Sequence, residues 1–292
     1  MSVVDQLMKG AVDMHVHAGP DPLRERRLDA IGLAMQASEM GMRAIVIKCQ
    51  HYGTAPVATI VNQIVTDFLL IGSLVLDGGV GGLNPEAVEV AARGGAKIVW
   101  MPTFSSVVDV KRREEPGYPV VVPKTASQEG TSLIDQQGKL LPRMVSILEI
   151  MKSSSMVLAT GHISVPEIYT VTTEARRMGI RVIITHPLTK AAGSPLNLDQ
   201  QRELASKGAY IEHCFNICLP PESMISPAEM VEYIKAVGAE HCILATDFGQ
   251  NLYPAAPEGF RMMLANMLVA GLSEKELEIL VKVNPARILD LD

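Results

Sequence analysis

The sequence has no excess of positive charge, no long apolar run and few cysteines. Its 26 Lys and Arg face 32 Asp and Glu, for a net charge of −6 over 292 residues. The two dense basic clusters, residues 24–27 and 111–113, are interrupted or followed at once by glutamates. Neither makes the stripe that tracks a phosphate backbone, so nucleic acid is excluded as a partner. The longest apolar stretch, 68–76, is broken by Gly72 and Ser73. It falls far short of the ~20 residues of a membrane helix, and no membrane partner is expected. The first nine residues hold Asp5 and no apolar core, which predicts no signal peptide. Cys49, Cys214, Cys218 and Cys242 stand at irregular spacing in apolar surroundings, unlike a secreted disulfide framework. Together these features predict a reduced, cytoplasmic protein.

What the chain does have is an alternation. Eight short Val- and Ile-rich runs read as buried parallel strands: 11–17, 43–48, 71–77, 97–102, 156–160, 181–185, 209–213 and 242–247. Amphipathic stretches separate them, often entered at Pro and left at Gly, as at 85–93 before Gly94 and 166–178 before Gly179. Eight such units describe one (β/α)8 TIM barrel domain over 1–292, an α/β fold. An open doubly wound sheet would want a Gly-rich phosphate loop after the first strand, where this chain has His-Val-His. The run Gly78-Gly79-Val80-Gly81-Gly82 matches no phosphate-binding pattern and reads as a turn.

The connection between the fourth and fifth strands is too long for a simple crossover. Its excess, about residues 104–142, reads as an insertion over the barrel mouth, with a small β-hairpin at 132–140. A lid and an oligomer contact are both open to it. The tail from Ser273 opens on a capping-box pattern and reads as a helical extension broken at Asn284-Pro285.

Reactive groups of a parallel barrel gather at the C-terminal ends of its strands. There the sequence places His15-Val-His17, His162, His186 and Asp247. Histidines at i and i+2 of a strand share a side. Four imidazoles and a carboxylate from four strands can converge on a divalent metal, Zn2+ first, with Mn2+, Fe2+ and Co2+ also suited. Taken one at a time, His51, His213 and His241 read better as structural residues.

On these residues the sequence resembles the amidohydrolase superfamily, over nearly the whole chain. More closely, it is similar to an amidohydrolase-like group of unassigned function. That likeness lies in His17-Ala-Gly-Pro-Asp-Pro22, Val80-Gly-Gly-Leu-Asn-Pro85, Met101-Pro-Thr103, Thr160-Gly-His-Ile163 and Thr246-Asp-Phe-Gly-Gln250. The resemblance implies His15, His17 and Asp247 as metal ligands. His162 and His186 would serve that metal, a second one, or the substrate. Asp247 is the implied proton acceptor, and Asp247 with His186 form the candidate catalytic pair. Many two-metal relatives carry a bridging lysine at the fourth strand, where this chain reads Val99-Trp-Met-Pro-Thr103. One ion is therefore favoured over two, with Asp77 and Glu212 the candidates for extra ligands.

Lys48, His51, Arg24, Thr103 and Gln250 are the candidate substrate-binding residues. A lysine closing the apolar strand Ala44-Ile-Val-Ile47 is costly unless its head reaches a partner or a cavity. The expected activity is metal-dependent hydrolysis of an amide, cyclic amide, ester or lactone in a small, anionic molecule. The alternatives are a decarboxylase or hydratase using the same ligands, and a non-catalytic metal-binding barrel. A homo-oligomer is the expected assembly.

Overall fold

The computed structural model describes residues 2–115, 118 and 122–291. Its strands are β1 Val12–Val16, β2 Ala44–Ile47, β3 Leu69–Ile71, β4 Ser73–Val75, β5 Ile98–Trp100, β6 Val157–Ala159, β7 Val182–Ile184, β8 Tyr210–Cys214 and β9 Cys242–Ala245. Each paired strand runs parallel to its neighbour, in chain order. β3 and β4 are two halves of one stave, covering the expected third strand. They part at Gly72, where a Cβ would stand 2.3 Å from the Ala55 Cα. The helix Ala55–Ile64 comes so close there that only glycine fits.

The ring closes between β1 and the segment after β9. The His17 N–H donates to the Phe248 carbonyl at 2.7 Å, and the Asp247 N–H to the His15 carbonyl at 2.9 Å. The result is a (β/α)8 barrel. Its helices start on ordinary caps. Asn84 accepts the Ala87 N–H ahead of Pro85–Arg93, and Ser164 and Glu167 form a reciprocal box ahead of Val165–Arg177.

Two apolar layers follow from the two faces of the strands. Val12, Met14, Val46, Ile98, Trp100, Ala159, Ile183, Cys214 and Ala245 pack together inside the ring. Ala11, Val16, Ile45, Val99, Leu158, Val182, Ile211 and Leu244 pack outward against the helices. The alternation changes phase in β1. Asp13 pairs with Ile45 but Val16 pairs with Ile47, so one extra residue is accommodated between them. This bulge puts Val12 and Met14 inside and then His15 inside as well, and so aims the His15/His17 pair into the barrel.

The C-terminal extension differs from the expected pair of broken helices. The helix Glu274–Glu278 widens into a π-helical turn over Ile279–Val283 and continues as Asn284–Leu289. Pro285 lacks an N–H to continue the ladder, and the wider turn absorbs the loss. Ile288 and Leu289 join the interior layer. Asn284 donates to the carbonyls of Ala239 and Cys242 at the start of β9, closing the end opposite the site.

The connection between β5 and β6 carries a short helix, Val107–Arg112. The expected hairpin at 132–140 is a turn with a single antiparallel bridge, Ile134 to Leu140, not a pair of strands. Part of the preceding stretch, residues 119–121, lies outside the described residues. Among the described residues no helix is long and apolar enough to cross a membrane.

Candidate active site

His15 and His17 from β1 and its end, Lys48 from the end of β2, Glu212 from β8 and Asp247 after β9 meet at the strand C-termini. His15 Nε2 and His17 Nε2 stand 3.3 and 3.2 Å from the same atom, Asp247 Oδ1. Beside them, His162 Nε2 and His186 Nε2 are 3.1 Å apart. The His15 and His186 rings stack at 6.0 Å between centroids, which joins the two groups into one. The structure thus brings together all five residues expected to serve a metal.

The far nitrogens of three of these rings are taken. His17 Nδ1 lies 3.0 Å from the Lys48 carbonyl, which can only accept. His162 Nδ1 lies 2.5 Å from Asp109 Oδ2, and His15 Nδ1 lies 3.1 Å from Glu212 Oε2. A neutral imidazole that donates through Nδ1 carries a bare lone pair on Nε2. His17 Nε2 then faces a carboxylate oxygen, acceptor against acceptor. Such a contact calls for a shared proton or a shared cation. Burial supports the cation, because it pushes the His15, His17 and His186 pKa values down to about 3 and keeps the rings in their ligand form. Burial opposes ionisation of Asp247, and the facing groups of His15, His17 and His186 favour it and outweigh burial where they share a proton or a cation with the carboxylate. Imidazole nitrogens with one carboxylate fit Zn2+ and its first-row neighbours.

His186 and Asp247 both adopt positive φ, 28° and 55°. Non-glycine residues pay for that conformation, and such strain gathers at functional sites. Asp247 is further held by Asn216, whose Nδ2 donates to Oδ2 at 3.3 Å. Asp13, buried beneath, accepts from the Thr246 N–H and hydroxyl and from the His15 N–H, tying the two ligand-bearing strand ends together. Burial raises the Asp13 carboxyl to about 7.

A cavity of about 420 Å³ opens over this cluster. Lys48, Arg24 and Gln250 line it, with Arg26, Asn216 and Tyr253. Lys48 is 2% exposed; its Nζ sits 3.1 Å from His15 Nε2 and over the Trp100 ring. Burial lowers its pKa. Arg24 lies over the Phe104 ring at the cavity wall. Arg26 is held by two contacts to Asp21, at 2.6 and 2.8 Å.

Four expected site residues stand off the cluster's open side. Thr103 is fully buried and does not line the cavity; its hydroxyl donates to Asp77. His51 lines a second cavity of about 420 Å³, which shares Gln50 and Phe104 with the first. Neither extra-ligand candidate reaches the cluster's open side. Asp77 is occupied by the N–H groups of Thr103, Phe104 and Ser105 and by two hydroxyls. Glu212 sits behind the His15 ring, on Nδ1, and burial raises it to about 7. Cys214 is on that same side, with Sγ 3.8 Å from His15 Nδ1, and burial keeps its thiol neutral. His15, Cys214 and Asp247 can also be drawn together as three donors within 4.8 Å. The imidazole side is the better site, because a neutral thiol is a poor ligand.

A family model described as a family of unknown function, DUF6282, matches residues 10–212, from the approach to β1 into β8. The chain belongs to the DUF6282 family. No curated protein sequence matches it. Several solved structures are similar to this DUF6282 member in fold. An amidohydrolase from Pseudomonas aeruginosa is 13% identical, with TM-score 0.62 over 98% of both chains. A putative 2-pyrone-4,6-dicarboxylic acid hydrolase from Pseudomonas putida is 14% identical, with TM-score 0.57 over 97% of this chain and 98% of that one. A 2,6-dihydroxybenzoate decarboxylase from Rhizobium is 12% identical, with TM-score 0.52 over 97% and 99%. At this identity the likeness is one of fold.

The sequence reading of this DUF6282 chain missed Asp109 and Asn216. Asp109 carried a misleading signal. Three residues after Ser106, it looks like a helix-cap partner, and Ser106 does accept the Asp109 N–H at 3.1 Å. The carboxylate itself turns away, toward His162.

Proposed function

We propose that this protein is a metal-dependent hydrolase that cleaves an amide, cyclic amide, ester or lactone bond in a small anionic molecule. The observation that carries the reading is the contact of His17 Nε2 with Asp247 Oδ1 while His17 Nδ1 is bound to a carbonyl. His15, His17 and Asp247, joined by His162, would hold one divalent ion, Zn2+ first or else Mn2+ or Fe2+, with His186 beside it. When bound, the ion would supply Lewis acidity and make a water more acidic. Asp247 takes a proton from the attacking water and returns it to the leaving group. His186, neutral at the cavity wall, hydrogen-bonds the reacting carbonyl or its product. Lys48 and Arg24 attract and orient a substrate carboxylate. We further take 1–292 as one such domain, cytoplasmic and homo-oligomeric.

The cations on the cavity wall also favour a second reading. A carboxylate held by Lys48 and Arg24 can be the group that leaves, as in a decarboxylase. A screen of small carboxylated amides, lactones and aromatic acids decides between the two. Hydrolysis gives products that gain the mass of water and no carbon dioxide, and Asp247→Asn lowers their rate by about 10²- to 10⁴-fold. Carbon dioxide release without water gain overturns the hydrolase reading in favour of the lyase. No turnover in the presence of bound metal overturns both and leaves a binding barrel.

A further inference from the structure

The long connection between β5 and β6 reaches the candidate metal cluster through the buried side chain of Asp109. Asp109, in the helix Val107–Arg112, is fully buried. One carboxylate oxygen is 2.5 Å from His162 Nδ1, and the other accepts the Gly193 N–H at 2.8 Å. Gly193 belongs to the loop that follows β7 and His186. It has φ +65°, and a Cβ there would stand 3.0 Å from the His162 Cα. His162 is thus pinned on one side by a carboxylate and on the other by backbone. The backbone N–H of His162 donates to the Pro102 carbonyl at 2.9 Å, and Arg112 of the same short helix donates to the Lys190 carbonyl at 2.9 Å. Three loops of the barrel mouth are therefore stitched at one point.

We infer that the segment Phe104–Arg112 of this connection is a fixed wall of the site and that Asp109 is a positioning residue, which sets the tautomer and the ring orientation of His162. The inference rests on the metal reading above for its consequence, but not for its geometry. An ionised carboxylate accepts only, so it selects the Nδ1–H tautomer and leaves the His162 Nε2 lone pair pointing toward His186 and the cavity. Facing groups bear this out. The His162 side chain meets Asp109 at Nδ1, His186 at Nε2 and the edge of the Phe104 ring. Carboxylates behind metal-binding histidines commonly control metal affinity by 10- to 100-fold.

Asp109→Asn is the decisive variant, because it keeps the shape and takes away one acceptor. The single amide oxygen takes the Gly193 N–H, and the amide N–H2 then faces His162 Nδ1. Nitrogen NMR of the chelated protein reads the tautomer without any metal. The expected result is a change of His162 from Nδ1–H to Nε2–H, with His17 unchanged. Zn2+ affinity, measured by competition with a chromogenic chelator, should fall at least about 10-fold. Asp109→Leu, which removes both acceptors and adds no donor, should weaken Zn2+ binding without imposing Nε2–H. Thermal unfolding of each variant checks that the barrel persists. An unchanged His162 tautomer in folded Asp109→Asn overturns the inference, as does unchanged Zn2+ affinity in both variants. A wild type that binds no Zn2+ overturns the metal reading instead, and the tautomer still decides the role of Asp109.

Discussion

His17 Nε2 stands 3.2 Å from Asp247 Oδ1, although the other nitrogen of the His17 ring already donates to the Lys48 carbonyl. The two residues come from opposite ends of the chain and meet because the barrel closes between them. The closure itself is made of their own backbones: the His17 N–H binds Phe248, and the Asp247 N–H binds His15. The bonds that complete the ring are the bonds that place the ligands.

Asp77 should prove a structural residue. It accepts three backbone N–H groups and two hydroxyls from Thr103, Phe104 and Ser105. Asp77→Ala strands the buried N–H and hydroxyl of Thr103 and loosens the half-buried donors of Phe104 and Ser105, at about 1–3 kcal/mol for each one left unmet. Urea unfolding should show a loss of at least about 3 kcal/mol, while metal content per folded molecule stays at the wild-type value. A stable variant that has lost its metal would make Asp77 a ligand.

His213 should give a separable pH dependence. It points from β8 into the outer layer, fully buried, with neither ring nitrogen hydrogen-bonded to protein. Burial depresses its pKa from 6.5 to about 3. The unfolded chain therefore takes up a proton below pH 6.5 that the folded state refuses until about pH 3. The stability this group contributes is full above pH 6.5 and is lost as pH falls through that window, at about 1.4 kcal/mol per unit. His213→Leu removes the loss. At pH 7.5 the variant should be at least as stable as the wild type, and its advantage should grow as pH is lowered from 6.5 to 4.5. Parallel stability curves for the two proteins would contradict this.

The strands, their order and the five residues at their ends were legible in the sequence because buried parallel strands read as apolar runs and their polar ends stand out. Lys48 was legible for the same reason: β2 alternates regularly, and a charge at its end has one way to face. What the sequence hid was geometry that depends on neighbours. The β1 bulge changes which face His15 occupies, yet Val-Asp-Met-His-Val carries no mark of it; only pairing against Ala44–Ile47 reveals the extra residue. The break at Gly72 needs the approach of Ala55. Thr103 looked available because it follows a strand end, but the Asp77 carboxylate pulls its hydroxyl inward. Asp109 was hidden by distance: 53 residues separate it from the ring it holds.

The central claim is that the imidazole and carboxylate cluster binds a metal. Elemental analysis of protein purified without chelators, beside the His15→Ala/His17→Ala variant, tests it most directly. The account predicts about one equivalent of a divalent first-row metal in the wild type and its loss in a variant that remains folded. A wild type that stays metal-free after reconstitution with Zn2+, Mn2+ or Fe2+, or a double variant that keeps its metal, would contradict it.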